Sequence, residues 1–283
     1  MPGTAKIAFL DIDGTIIAHD GTIPESTVTA IRTARANGHL VYLASGRTPT
    51  EVEARLVAIG FDGAILGAGA YAWVGELWQE GSWQIERLMD PADVSEMVGC
   101  YRELGADFVL QGREATYATQ GAVDRLAATL AAEGRLSEQT RSAIVDRIIV
   151  TADPPTTGIA KSVFSSDDLG TYAAVKEALG ERFHVITGTM PGLGTAGGEV
   201  SPAGVTKGST LLMLLERLGI DVADSIAIGD NNNDLEMLTA AGTGIAMGNG
   251  TSEALAAADE VTTNVDDDGI WNAFAKHGLI AQI

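Results

Sequence analysis

Two aspartates separated by one residue follow a short apolar segment near the N-terminus. The segment Ile7–Leu10 continues directly into Asp11-Ile12-Asp13-Gly14-Thr15, a pattern typical of a buried strand of a parallel sheet that ends in a turn. Side chains alternate along a strand, so Asp11 and Asp13 are predicted to share one face. The two carboxylates repel each other unless a cation lies beside them, and oxygen ligands favour Mg²⁺ or Ca²⁺. A polar turn that binds no ion is the alternative interpretation.

Two further predicted strands also end in polar residues. Leu40–Leu43 runs into Ala44-Ser45-Gly46-Arg47, and Ser225–Ile228 runs into Gly229-Asp230-Asn231-Asn232-Asn233-Asp234. Ligands of open α/β sheets bind beyond the carboxyl ends of the strands, so these groups are predicted to converge with the two aspartates. Lys207 begins a Leu-rich amphipathic helix, where its ammonium would add to the positive helix N-terminus. A solvated helix cap is the alternative interpretation of this lysine.

The elements that position these residues alternate between strand and helix on both flanks of the chain. This alternation indicates βαβ units and a parallel sheet, with a helix predicted at about Glu51–Ile59. Trp73, Trp78 and Trp83 lie in a Gly-rich stretch that is predicted to be a hairpin. The following block mixes helical and strand patterns and is predicted to be a smaller inserted α/β domain. The predicted organisation is residues 1–84 and 189–283 as the core, with residues 85–188 as the insertion.

Composition limits the function classes further. The 283 residues carry 18 basic and 38 acidic side chains, a net charge of −20, which disfavours nucleic acid and anionic lipid as partners. A phosphate site must therefore obtain its positive field from a metal, a lysine or backbone N–H groups. The single cysteine, Cys100, excludes an intrachain disulfide and favours the cytoplasm. We find no apolar run that approaches the length of a membrane span.

These motifs together resemble the haloacid dehalogenase superfamily, specifically its Cof-type phosphatases. The four matching motifs are Asp11-Ile12-Asp13-Gly14-Thr15, Ser45-Gly46-Arg47, Lys207-Gly208 and Gly229-Asp230-Asn231-Asn232-Asn233-Asp234. The resemblance implies a Rossmann-like doubly wound parallel sheet core, α/β in class, with an inserted α/β cap domain that selects the leaving group. Ala68 stands where this family usually has asparagine, and Gly250 stands where it usually has alanine.

The resemblance also implies a role for each motif residue. Asp11 would be the nucleophile that forms an aspartyl-phosphate, and Asp13 would be the general acid and base. Mg²⁺ would be held by the Asp11 carboxylate, the Asp13 backbone carbonyl and Asp230. Ser45, the Gly46 N–H and Asn233 would bind the phosphate oxygens, and Lys207 would screen the nucleophile from the phosphate. Asp234 would anchor Lys207 or metal-bound water, and Arg47 would make structural contacts.

The expected function is therefore Mg²⁺-dependent hydrolysis of small phosphorylated metabolites, with sugar phosphates as the default class. A sugar phosphomutase or phosphotransferase of the same fold is the nearest alternative, because it would pass the phosphate to a second acceptor. A non-catalytic metabolite-binding module is the alternative from a different class, although the presence of all motif carboxylates and Lys207 argues against it. Nothing in the sequence indicates the oligomeric state.

Overall fold

The computed structural model describes residues 5–132, 134, 136–187 and 196–281. The chain divides into two compact units. The first comprises Met1–Arg47, Val52–Glu86 and Thr206–Ile283, and the second comprises Thr48–Glu51 and Arg87–Val205. None of the helices in the described ranges is long and apolar enough to span a membrane.

The first unit is built on an eight-stranded sheet. Its strands are β1 (Ile7–Leu10), β2 (Leu40–Ala44), β3 (Gly63–Leu66), β4 (Tyr71–Gly75), β5 (Gly81–Glu86), β12 (Ser225–Gly229), β13 (Thr243–Ala246) and β14 (Glu260–Val261). Their order is β14-β13-β12-β1-β2-β3-β4-β5. The six strands from β14 to β3 pair in parallel, whereas β4 and β5 form an antiparallel hairpin at the edge. The sheet is thus the predicted Rossmann-like core, and the carboxyl ends of β1, β2 and β12 lie side by side.

The helices of the first unit cover this sheet. They are α1 (Glu25–Ala36), α2 (Ala54–Val57), α7 (Lys207–Leu218), α8 (Leu235–Ala240), α9 (Ser252–Ala257) and α10 (Gly269–Lys276). Leu211, Leu214 and Leu215 of α7 pack with Ile7 and Phe9 in one buried cluster, so α7 covers the face of β1 on which odd-numbered side chains lie. This packing brings the first residue of α7 to the side of the sheet that Asp11 occupies.

The second unit has a sheet of its own. It contains β6 (Asp107–Gly112), β7 (Thr116–Ala118), β8 (Ile149–Val150), β9 (Ile159–Ser165), β10 (Phe183–Thr187) and β11 (Gly198–Pro202), in the order β10-β11-β9-β6-β7-β8. Its helices are α3 (Pro91–Glu103), α4 (Gln120–Ala132), α5 (Glu138–Ala143) and α6 (Thr171–Leu179). One sheet face, with Phe108, Leu110 and Phe164, joins residues of α3 and α6 in a buried apolar core.

The division into units differs from the predicted domain boundaries of 84 and 188. The hairpin partner β5 continues to Glu86 because Ile85 is buried against Ala72 in the first sheet. Residues 188 and 189 lie outside the described residues, but β11 pairs with both β9 and β10, so the second unit extends to Val205. The predicted boundary at 188 left Gly198–Pro202 in the core, and a five-residue strand does not by itself indicate which strands it pairs with.

Two local predictions have different outcomes. The helix expected at about Glu51–Ile59 is a 3₁₀ turn at Pro49–Glu51 followed by the single-turn helix α2. The aromatic stretch does form the predicted hairpin, in which Trp73, Trp78 and Trp83 pack edge-on or tilted, with ring centroids 5.3–5.5 Å apart. This cluster is therefore accounted for by packing at the edge of the sheet.

Candidate active site

Asp11 lies one residue beyond β1 and is almost completely buried. Its Oδ1 accepts a hydrogen bond of 2.6 Å from the Lys207 Nζ, and Asp234 Oδ1 accepts another of 2.6 Å from the same ammonium. Lys207 is 1% exposed and Asp234 is fully buried. The ammonium therefore bridges two buried carboxylates that are far apart in sequence.

The position of Lys207 follows from the start of α7. Thr206 caps the helix, since its Oγ1 accepts from the Ser209 N–H and the Ser209 Oγ accepts from the Thr206 N–H. Lys207 is consequently the first helical residue, which places its ammonium near the positive end of the helix. Gly208 allows α7 to approach α8, because a Cβ there would lie 2.3 Å from the carbonyl oxygen of Glu236.

The loop after β12 supplies the other carboxylates. Asp234 Oδ2 accepts from the backbone N–H groups of Asp230 and Asn231, each at 3.0 Å, so the loop folds around its own side chain. Thr15 donates its hydroxyl to Asp230 Oδ1 at 2.9 Å, which joins this loop to the one after β1. Gly14 is required at this junction: its φ is +90°, and a Cβ there would lie 2.2 Å from Asp230 Oδ2.

Burial and mutual repulsion shift the pKa values of these groups. Burial raises the pKa of Asp11 well above its ordinary value, and Asp234 raises it further, while Lys207 opposes both effects. Burial, followed by the charge of Asp234, raises the pKa of Asp230 to about 6. Burial alone would lower the pKa of Lys207, but Asp11 and Asp234 outweigh it and raise that pKa above the usual lysine value. The site thus holds more negative charge than its single ammonium neutralises.

The donor set fits a divalent cation. Carboxylate oxygens of Asp11, Asp230 and Asp234 lie within 4.8 Å of one another. Asp234 is already engaged through both oxygens, whereas Asp11 and Asp230 each keep one oxygen outside the hydrogen bonds found in the described part of the chain. Three carboxylates and one ammonium leave a charge that a divalent ion would balance, and all-oxygen ligation suits Mg²⁺.

Asp13 occupies different surroundings from Asp11. Strand β1 ends at Leu10, so strand alternation does not extend to Asp13, whose side chain is 61% exposed. Arg47 donates to both of its oxygens, from Nε at 2.9 Å and from a terminal nitrogen at 2.6 Å, and also donates to Glu53 at 2.8 Å. The cation suggested by the Asp11–Asp13 pair is therefore better matched by the carboxylates of Asp11 and Asp230, and Arg47 holds Asp13 in a fixed orientation.

The predicted phosphate-binding residues lie on the neighbouring loops. Ser45 is buried at the end of β2, where its Oγ accepts from the Arg47 N–H at 3.2 Å, and Gly46 is half-buried. The Oδ1 atom of Asn233 is buried and has no hydrogen-bond partner among the residues that the structure describes, as expected for a group whose partner is a ligand or water. The Ser45 carbonyl accepts from the N–H of Ala68, which has a left-handed φ of 56°.

Two residues that hold the loops of the site in place were not assigned a role in the sequence analysis. Thr15, fully buried, binds Asp230 as described. Asn249 donates from Nδ2 to the Gly14 carbonyl at 2.8 Å, and its Oδ1 accepts from the Val265 N–H at 2.8 Å. Asn249 could have been singled out because the segment Ala246-Met247-Gly248-Asn249 resembles the haloacid dehalogenase superfamily. The segment does not, however, indicate which groups Asn249 binds.

Comparison with known proteins places this geometry in context. A sequence profile described as haloacid dehalogenase-like hydrolase matches residues 8–274. A Bacillus subtilis protein named as phosphatase YkrA is 30% identical, with 98% of this chain and 99% of that protein aligned. The HMP-PP phosphatase of Escherichia coli K12 is 29% identical over 87% of this chain and 85% of its own length. A crystal structure of a hypothetical protein from Geobacillus kaustophilus superposes with a TM-score of 0.78 at 26% identity, covering 98% of this chain and all of that one.

Proposed function

The chain belongs to the haloacid dehalogenase-like hydrolase family, and on that premise we propose that it is a Mg²⁺-dependent phosphatase of small phosphorylated metabolites, with sugar phosphates as the substrate class. The observation that carries the proposal is the buried Asp11 carboxylate, bound to Lys207 at the end of a central parallel strand. The chain is also similar in sequence to proteins that are named as phosphatases. A nucleophilic carboxylate with an adjacent fixed cation is the arrangement that phosphoryl transfer needs.

In the first step, Asp11 attacks the phosphorus of the substrate. A bond forms between a carboxylate oxygen of Asp11 and phosphorus, and the bond from phosphorus to the ester oxygen breaks. Lys207 lowers the repulsion between the carboxylate and the incoming phosphate, because its ammonium is hydrogen-bonded to Asp11. Asp13 gives a proton to the departing ester oxygen, which leaves as an alcohol.

In the second step, water hydrolyses the aspartyl-phosphate. Asp13, now ionised, takes a proton from the attacking water as the water oxygen bonds to phosphorus. The bond between phosphorus and the Asp11 oxygen breaks, which releases inorganic phosphate and restores the Asp11 carboxylate. In the structure Arg47 donates to both oxygens of Asp13, so one of these hydrogen bonds must break for Asp13 to carry the proton that it transfers.

The metal and phosphate ligands complete the proposed site. Asp11, Asp230 and the Asp13 backbone carbonyl would hold Mg²⁺, whose charge stabilises the negative charge on the transferring phosphoryl group. Ser45, the Gly46 N–H and Asn233 would bind the phosphate oxygens, and Asp234 would keep Lys207 in place. We place the protein in the cytoplasm, where its single cysteine would remain reduced.

Phosphate release from a panel of phosphorylated metabolites, with and without Mg²⁺, tests the proposed function. We expect free phosphate to appear only with Mg²⁺, and exhaustive EDTA treatment to abolish the release. Asp11→Asn should lose essentially all turnover while its circular dichroism stays that of the wild type. Undiminished turnover in EDTA or in Asp11→Asn would refute the mechanism, and transfer to an acceptor without phosphate release would favour the mutase.

A further inference from the structure

Glu53 lies directly before the single-turn helix α2, six residues after Arg47. A polar residue at this position commonly accepts a hydrogen bond from the first turn of its helix through its side chain. The Glu53 side chain makes no such bond. Its two oxygens instead accept from arginines, Oε1 from Nη1 of Arg47 at 2.8 Å and Oε2 from Nε of Arg55 at 2.6 Å. The carboxylate of Glu53 therefore connects two guanidinium groups and does not cap the helix.

Each of these two arginines also binds a group in the loop between β1 and α1. Arg47 donates to both oxygens of Asp13, from Nε at 2.9 Å and from Nη2 at 2.6 Å. Arg55 donates from Nη1 to the backbone carbonyl of Gly21 at 2.5 Å. The result is a continuous chain of contacts from Asp13 through Arg47, Glu53 and Arg55 to Gly21, and all five residues belong to the first unit.

The guanidinium of Arg47 is held at two different positions by this chain. A guanidinium is planar and its N–H groups point in fixed directions. Nε and Nη2 form the edge that faces Asp13, and Nη1, on the remaining corner, faces Glu53. Contacts at both positions fix the plane of the group and its rotation within that plane. Asp13 is 61% exposed, so its orientation depends on this guanidinium more than on surrounding packing.

The charges and exposure of the chain favour an orienting role over a stabilising one. Burial would raise the pKa of Glu53, but the hydrogen bonds from Arg55 and Arg47 outweigh it and lower that pKa, so Glu53 is ionised at neutral pH. The side chains of Glu53 and Arg55 are 41% and 45% exposed. Ion pairs with this exposure contribute little to folding stability.

We propose that Glu53 is a positioning residue, which holds the guanidinium of Arg47 in the orientation that aligns Asp13 with the departing ester oxygen. This inference rests on the proposed phosphatase function, in which Asp13 protonates that oxygen. It adds a residue that lies outside the four motifs of the sequence analysis. Because Glu53 acts through Arg47, its removal should affect the step that needs Asp13 as an acid.

Glu53→Ala tests this role with two substrates that differ in their leaving groups. We expect kcat/KM for glycerol phosphate to fall roughly tenfold, because a small misplacement of a catalytic group is costly. For p-nitrophenyl phosphate, whose leaving group needs little protonation, kcat/KM should fall less than about twofold. Glu80→Ala, the same change at an exposed glutamate of the same unit, should leave both values unchanged. Equal losses on both substrates, or no loss on either, would overturn the inference.

Two further variants separate the role of Glu53 from a general structural effect. In the Asp13→Asn background, Glu53→Ala should cause no further loss of kcat/KM, because both residues act on one step. An additional loss of the same size would show that Glu53 acts independently of Asp13 and would overturn the inference. If Glu53→Ala does not fold, Glu53→Gln replaces it, since the amide keeps the shape but cannot accept from both arginines through its two terminal atoms.

NMR of the protein labelled with isotope-enriched arginine tests the positioning without any substrate. The Nε–H signal of Arg47 is identified by its loss in Arg47→Lys. This N–H should exchange slowly with solvent in the wild type and in Glu80→Ala, and at least roughly tenfold faster in Glu53→Ala. Unchanged exchange would overturn the inference even if phosphatase activity is found. Absence of phosphate release from every ester by the wild type would refute the proposed function and the catalytic part of this inference, whereas faster exchange in Glu53→Ala would still show that Glu53 holds Arg47.

Discussion

Substitution of Asp230 by asparagine should make the metal-free protein more stable, although it should destroy the proposed metal site. Asp230 is 5% exposed and lies among other buried carboxylates, with Thr15 donating to its Oδ1. Asparagine retains an oxygen that can accept that hydrogen bond, but it carries no charge. The substitution therefore removes repulsion while conserving shape and the contact with Thr15.

The size of the effect follows from the pKa of Asp230. Burial and Asp234 raise it to about 6, against an ordinary value of 3.8. Because the folded pKa is above the unfolded one, the folded state binds the proton more tightly, and wild-type stability falls as pH rises from about 4 to above 6. A difference of about two pKa units corresponds to on the order of 3 kcal/mol. Asp230→Asn has no carboxyl at this position and does not lose this stability. Its unfolding free energy should therefore exceed that of the wild type only slightly at pH 4, and by on the order of 3 kcal/mol at pH 8.

Urea unfolding in EDTA at a series of pH values measures this difference. The four tryptophans (Trp73, Trp78, Trp83 and Trp271) all lie in the first unit, so their fluorescence follows the unit that contains Asp230. Asp266→Asn, a change at an exposed aspartate of the same unit, serves as the matched control, and because it keeps Asp230 its stability should follow that of the wild type across the pH series. Mg²⁺ should stabilise the wild type and the control strongly, and Asp230→Asn much less.

Two outcomes would refute this reasoning. If the difference in unfolding free energy between Asp230→Asn and the wild type is the same at pH 4 and pH 8, the carboxyl does not have a raised pKa in the folded protein. If the variant is less stable at pH 8 and still responds to Mg²⁺ as the wild type does, Asp230 is a structural residue and the cation binds elsewhere.

Three further substitutions test separate parts of the structure. Lys207→Met should cost about 3–5 kcal/mol of unfolding free energy, because it leaves Asp11 and Asp234 buried without a counter-charge; a loss below about 1 kcal/mol in urea unfolding would contradict the bridge. Asp13→Asn should lower kcat/KM for alkyl phosphates by roughly 10²–10⁴ and for p-nitrophenyl phosphate much less, because kcat/KM reports the steps up to departure of the leaving group; equal losses in kcat/KM would exclude Asp13 as the acid that protonates the ester oxygen. Ala68→Gly should raise stability by about 0.5–1 kcal/mol, because alanine is strained at positive φ; a lower melting temperature would argue against that backbone conformation.

The sequence predicted those parts of the fold and site that depend on local pattern. Apolar runs bounded by turn residues mark β1, β2 and β12 because a buried parallel strand must be apolar along its length. Their polar ends therefore stood out, and the motif order placed Asp11, Ser45, Lys207 and Asp230 at one edge of the sheet. The start of α7 was also predicted, since the Leu-rich amphipathic pattern begins at Lys207.

Contacts between distant segments could not be predicted in the same way. The membership of β11 in the second sheet depends on its pairing with β9 and β10, which a five-residue segment does not encode. The Arg47–Asp13 pair and the Gln111–Glu51 hydrogen bond join residues 34 and 60 positions apart. Which side chains meet at such distances depends on how complete strands and helices pack.

The sequence by itself determined which residues are available for chemistry and the order in which the sheet presents them. Only the tertiary structure decided their states: Asp11 is buried against Lys207, Asp13 is exposed and held by Arg47, and Asp230 has a pKa near 6. The physical reason is that burial and the distances between charges set a carboxyl group's proton affinity. Both are properties of the folded chain, so two aspartates from one five-residue motif have different environments.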